Sequence, residues 1–120
     1  MADITVKAAY ASVVEDEGQL YIGFAEGEDE EEPYVLFRQP EGGGPVWFEV
    51  SDETLGAEDA ILKVVQGPKG IEVFISPLRA ARFGWAASVA VRIGPGCEDA
   101  APALAALAQM LGPLLVPAQP

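Results

Sequence analysis

The chain contains no histidine. That absence removes Ser-His-Asp and Cys-His arrangements, and with them the side chain that most often acts as a general base near neutral pH. Cysteine is almost missing as well. Cys97 stands alone, so no intrachain disulfide can form, and zinc, whose sites draw mainly on Cys and His, has no ligand set. Basic residues are scarce, 7 against 19 acidic ones, for a net charge of -12. Phosphate backbones and anionic membrane surfaces are repelled by such a charge, so neither nucleic acid nor membrane is an expected partner. No apolar run approaches the roughly 18 residues that a bilayer-crossing helix needs, and MADITVKAAY lacks the basic start and apolar block of a secretory signal. A cytoplasmic protein is the expectation.

Half of the 120 residues are hydrophobic, enough for one domain that builds its own core. The acidity is uneven. Residues 1–59 hold 16 acids against Lys7 and Arg38, whereas residues 60–120 hold 3 acids against 5 bases. Its densest part is GEDEEEP, where Glu26 and Glu28 to Glu32 place six carboxylates within seven residues. A basic partner would be steered toward this half, and salt would weaken the steering; the same acidity also serves solubility. As a calcium loop the segment is poor: it lacks the alternating Asp/Asn ligands, the sixth-position glycine and the closing Glu of an EF-hand. Consecutive glutamates point in different directions, so a solvated loop is expected, with no metal and no cofactor.

Alternation of apolar and polar residues dominates the rest. Ile4, Val6, Ala8 and Tyr10 share one parity, as do Leu20, Ile22 and Phe24; Tyr34 to Gln39 is rich in residues that suit a pleated surface; Val46, Phe48 and Val50 follow the loop EGGGP. Ile61 to Gln66 and Ile71 to Ser76 flank the turn Gly67 to Gly70, and Val89, Val91 and Ile93 mark a last strand. Ser76-Pro77 and Gly84 bracket a short helix over Leu78 to Phe83, by an N-cap, a first-turn proline and a stop. Leu104, Leu107 and Leu111 recur at helical spacing from Glu98 up to Gly112-Pro113, with Glu98 and Asp99 in the first turn. The expected architecture is an α+β domain over residues 1–113: an antiparallel β-sheet of six or seven strands with a C-terminal α-helix packed on one face, then an extended tail over 114–120. Its other face would carry Tyr21, Trp47, Glu49, Lys63, Glu72, Phe74 and Arg92.

Little in this inventory points to catalysis. EGGGP opens onto a strand rather than a helix N-terminus, so it reads as a hairpin tip and not a phosphate cradle. Glu49, Asp52 and Glu72 are available as carboxylates, but nothing in their spacing selects a pair, and no enzyme is expected. Cys97 lies close to a helix start, which lowers a thiol pKa, while Glu98 and Asp99 oppose that. Trp47 and Phe74, of opposite parity to the core residues of their strands, are candidate aromatic anchors for a partner.

Three segments resemble the immunity protein 10 family, small bacterial proteins that protect cells from polymorphic toxins: YIGFAEGEDEEEPYVLFRQ, VWFEVSDETLGAEDAI and GIEVFISPLRAARFG, which together span most of Ile4 to Ile93. The resemblance implies a non-enzymatic inhibitor that binds a cognate toxin and neutralises it. It also implies partner contacts at Trp47, Glu49 and Asp52, with Arg38 and Gln39 beside them. The acidic loop, including Glu30 and Glu31, would supply long-range attraction to a basic toxin. A homodimer formed through the same sheet face or an open strand edge is the alternative.

Overall fold

The computed structural model describes residues 2–29 and 31–117. Nine strands make a single sheet: β1 (Ile4–Asp16), β2 (Gln19–Ala25), β3 (Tyr34–Pro40), β4 (Trp47–Val50), β5 (Gly56–Glu58), β6 (Ile61–Gly67), β7 (Gly70–Ile75), β8 (Ser88–Glu98) and β9 (Leu115–Pro117). Their order across the sheet is β5-β4-β3-β2-β1-β8-β7-β6-β9. The fold therefore consists of two antiparallel meanders, β1 to β5 and β6 to β8, joined where β1 runs parallel to β8. A second parallel pairing adds β9 to β6 at the edge.

This corrects the α+β expectation of a six- or seven-stranded antiparallel sheet. The fold is mostly β, its sheet is mixed, and the additional strands β5 and β9 are only three residues each. Segments that short carry too little alternation to be read as strands, and the orientation of β1 against β8 depends on residues about 85 positions apart. Leu115–Pro117, within the expected tail, is extended and paired to Val64, Val65 and Gln66.

Local chemistry explains the turns. Glu17 and Gly18, at φ 51° and 79°, form the two-residue connection from β1 to β2, of the mirror-image kind whose twist suits a hairpin. Ser76 accepts a hydrogen bond from the Leu78 N–H, Pro77 opens a 3₁₀ turn over Pro77–Phe83, and Gly84 closes it at φ 63°. The α-helix, α1 (Ala100–Leu111), stops at Gly112 as its leucine spacing indicates. It begins later than expected. β8 continues through Gly94-Pro95-Gly96 to pair Glu98 with Tyr10, so Glu98 belongs to the sheet and Asp99 precedes the helix without a side-chain cap bond. No helix among the described residues is long and apolar enough to cross a membrane.

One face of the sheet holds the core. Helix α1 lies across β1 and β2 and buries Ala103, Leu107 and Leu111 there. A file of rings continues the core beyond the helix: Phe24 meets Phe37 edge-on at 6.5 Å, Phe37 meets Phe48 at 5.0 Å, and Phe48 meets Phe83 of the 3₁₀ turn at 5.8 Å. Val6, Ile22, Val35, Val64, Val73, Val89 and Val91 fill the remainder. Nine strands laid flat would be about 38 Å wide at ~4.8 Å per strand and only two layers deep. The observed extents of 36 × 35 × 32 Å are nearly equal, so the sheet curls around its helix.

Candidate functional site on the open sheet face

The face turned away from α1 is set by register. Across β1 to β5 it presents three rows: Tyr10, Ala25 and Tyr34; Ser12, Gly23, Leu36, Glu49 and Gly56; and Val14, Tyr21, Arg38, Trp47 and Glu58. Tyr10 belongs here, not with the core. The β1–β8 pairing shifts between Ala8 and Tyr10, so the alternation of β1 reverses: Val6 and Ala8 are buried before the irregularity and Ala11 after it. Across β6 to β8 the same face carries Lys63, Glu72, Phe74 and Arg92, in line with expectation.

Two glycines in one cross-strand row, Gly23 on β2 and Gly56 on β5, shape this surface. Gly23 has no side chain between Ser12 and Leu36, which leaves a hollow of about 330 Å³ bounded by Tyr10, Ser12, Ala25, Tyr34, Leu36 and Glu49. Gly56 lies beneath the Trp47 indole, where an added Cβ would fall 2.5 Å from Cζ2 of the ring. The indole is thereby pressed flat along β4 and β5.

Glu49 forms one wall of the hollow. It is only 7% exposed, yet it sits on the face that no helix covers. Its Oε2 accepts a hydrogen bond from the Tyr34 hydroxyl and its Oε1 accepts one of 2.8 Å from Trp47 Nε1. Both donors are neutral, so they satisfy the oxygens without cancelling the charge. Burial, and then the Glu49 carboxylate beside it, pushes the Tyr34 phenol well above its ordinary range. The result is an aromatic-walled, apolar-floored socket with a fixed acceptor at its side.

The predicted contact residues divide accordingly. Trp47, Glu49 and Arg38 come together on the open face, where the Arg38 guanidinium lies 5.0 Å from the centre of the Trp47 ring. Gln39 does not join them: it shares the parity of Val35 and Phe37, and its amide donates to the Gly44 carbonyl at 2.9 Å, steadying the β3–β4 loop. Asp52 is exposed in the turn after β4, where the N–H and hydroxyl of Thr54, each at 2.8 Å, hold its carboxyl below the usual range. Glu31 is exposed, with its N–H donated to Asp29, and Glu30 lies outside the described residues. Glu26 is tied into the fold, accepting from the Lys7 N–H at 2.8 Å.

Phe74 is half-buried under Lys63, 5.0 Å from the ring centre, rather than under the 3₁₀ turn. The Cys97 thiol is pushed up by burial and by the charges of Asp99 and Glu98. Among the described residues, no group of three or more cysteine, aspartate or glutamate side chains is arranged to hold a metal ion. Tyr10, Ser12, Gly23, Tyr34 and Leu36 were not legible as site residues. Only Tyr34 carried a signal, as an aromatic in step with Leu36 on a strand whose opposite parity is core.

No protein family, curated protein or solved structure matches the chain.

Proposed function

We propose that the chain is a non-enzymatic immunity protein that binds and neutralises a cognate bacterial toxin, a basic protein, through the open face of β1 to β5. The observation that supports this reading most is Glu49: a nearly buried carboxylate, held by a phenol and an indole, at the wall of an aromatic-lined hollow. Such a socket suits a lysine or arginine side chain, whose stem packs on Tyr10, Tyr34 and Leu36 while its head meets the carboxylate. Around it, the acidic first half of the chain attracts a basic surface at long range. The resemblance of three segments to the immunity protein 10 family favours the same conclusion.

The partner to test is the C-terminal domain of a large secreted protein encoded beside this chain. Neutralising Glu28, Asp29, Glu31 and Glu32 as their amides should slow association and flatten its salt dependence while leaving unfolding midpoints unchanged. Filling the hollow with Ser12→Leu, a change at an exposed strand position, should weaken the complex by roughly tenfold or more through faster dissociation. Undiminished affinity in Ser12→Leu, together with unaltered association rates in the loop variant, would remove the basis for this function.

A further inference from the structure

Three of the seven basic residues gather in one place although the chain is strongly acidic. Arg38, Arg79 and Arg82 line a cleft of about 600 Å³ between the β3–β4–β5 edge and the 3₁₀ turn, with Trp47, Glu58 and Leu78 as its other main walls. Two of the guanidinium groups are pre-set. Arg38 is stacked on Trp47, and Arg79 donates from Nε to the Glu58 carbonyl at 3.0 Å. Those anchors use a π-face and one N–H, so neither consumes the terminal nitrogens of its fork. Leu78, 87% exposed at the rim, adds an apolar contact point.

We infer that this cleft binds a short acidic segment of a different protein, with carboxylates in the arginine forks and an aliphatic neighbour against Leu78. Arginine forks match carboxylates bidentately, and three cations against the single carboxylate of Glu58 give the cleft a local positive charge. The long-range field of a -12 chain selects for brevity: a long polyphosphate or nucleic acid brings many charges into that field, whereas two or three carboxylates bring few. The cleft shares Arg38 and Trp47 with the open face but none of its walls with the Glu49 hollow, and its test needs no toxin, so the two readings can fail separately.

The probe is an N-acetylated, C-amidated pentapeptide of sequence Asp-Leu-Glu-Leu-Asp, titrated by calorimetry against the full chain at low salt. It should bind, and its Asn-Leu-Gln-Leu-Asn counterpart should not. Arg82→Gln, at an exposed position, and Arg79→Lys, which keeps the charge but loses the fork, should each weaken binding by roughly tenfold, the loss expected when one charge-assisted hydrogen bond is removed. Equal binding of the amide peptide, indifference to both substitutions, or tighter binding of inorganic pyrophosphate would each overturn the assignment. Concentration-dependent self-association abolished by Arg82→Gln would overturn it too, by making the occupant the acidic loop of a second copy.

Discussion

The bond between Tyr34 and Glu49 offers the sharpest energetic test. Removing the hydroxyl by Tyr34→Phe leaves a carboxylate that is only 7% exposed with Trp47 Nε1 as its remaining donor. Hydrogen bonds to charged groups contribute about 1.5–3 kcal/mol, and because Tyr34 itself is half-buried the lower end applies, about 1.5 kcal/mol. In a Glu49→Gln background the same deletion removes a bond to a neutral amide, worth roughly 0.5–1 kcal/mol. The two effects should therefore be non-additive by roughly 0.5–1 kcal/mol. A domain of this size has a total stability of roughly 5–15 kcal/mol, so all four proteins of the cycle should remain folded. Urea unfolding at pH 7, followed by tryptophan fluorescence, gives the four free energies provided the slopes agree. Additivity within ~0.3 kcal/mol would refute the reasoning, because it would mean that the phenol does not sense the charge of Glu49.

Two further expectations concern the same region. Because burial and Glu49 raise the Tyr34 pKa above its ordinary value of 10.0, the folded chain holds the phenolic proton more tightly than the unfolded chain does. That contribution is complete below about pH 10 and is lost as pH climbs through the folded-state value, so urea midpoints should fall above pH 10 and fall less in Tyr34→Phe; parallel curves would contradict this. Gly56→Ala places a Cβ 2.5 Å from Trp47 Cζ2 and 3.0 Å from the Phe48 carbonyl, so it should cost about 1–3 kcal/mol and shift the tryptophan emission. Wild-type stability and emission in that variant would show that the indole does not rest on Gly56.

Periodicity made most hairpins legible because their strands alternate over a one-sided core, as Ile22 and Phe24 do against Tyr21 and Gly23, while β6, with a register shift between Ile61 and Lys63, was legible only as an apolar run. The caps at Ser76 and Gly84 were equally readable, since their chemistry is local. Three-residue strands were not, and neither was the sense of β1 against β8, which only the assembled sheet decides. On the open face, Trp47 and Glu49 were found by parity, whereas Arg38 entered only through the family resemblance. Tyr10 was misplaced by one irregularity in strand pairing, and the hollow was missed because its defining feature, Gly23, is a missing side chain. The arginine cleft escaped notice because Arg38 and Arg79 are 41 positions apart in sequence and meet only when the 3₁₀ turn folds against β5.

The parallel junction at the centre of the sheet also governs how the molecule is born. Ile4 pairs with Val89, and the Asp3 carboxylate accepts from the Ala87 N–H at 2.7 Å, so the middle of the structure is sealed by residues made about 85 positions after the strand they complete. At about 5–20 residues per second, the first meander waits on the order of several seconds with the bare backbone of β1 open to any extended nascent chain nearby.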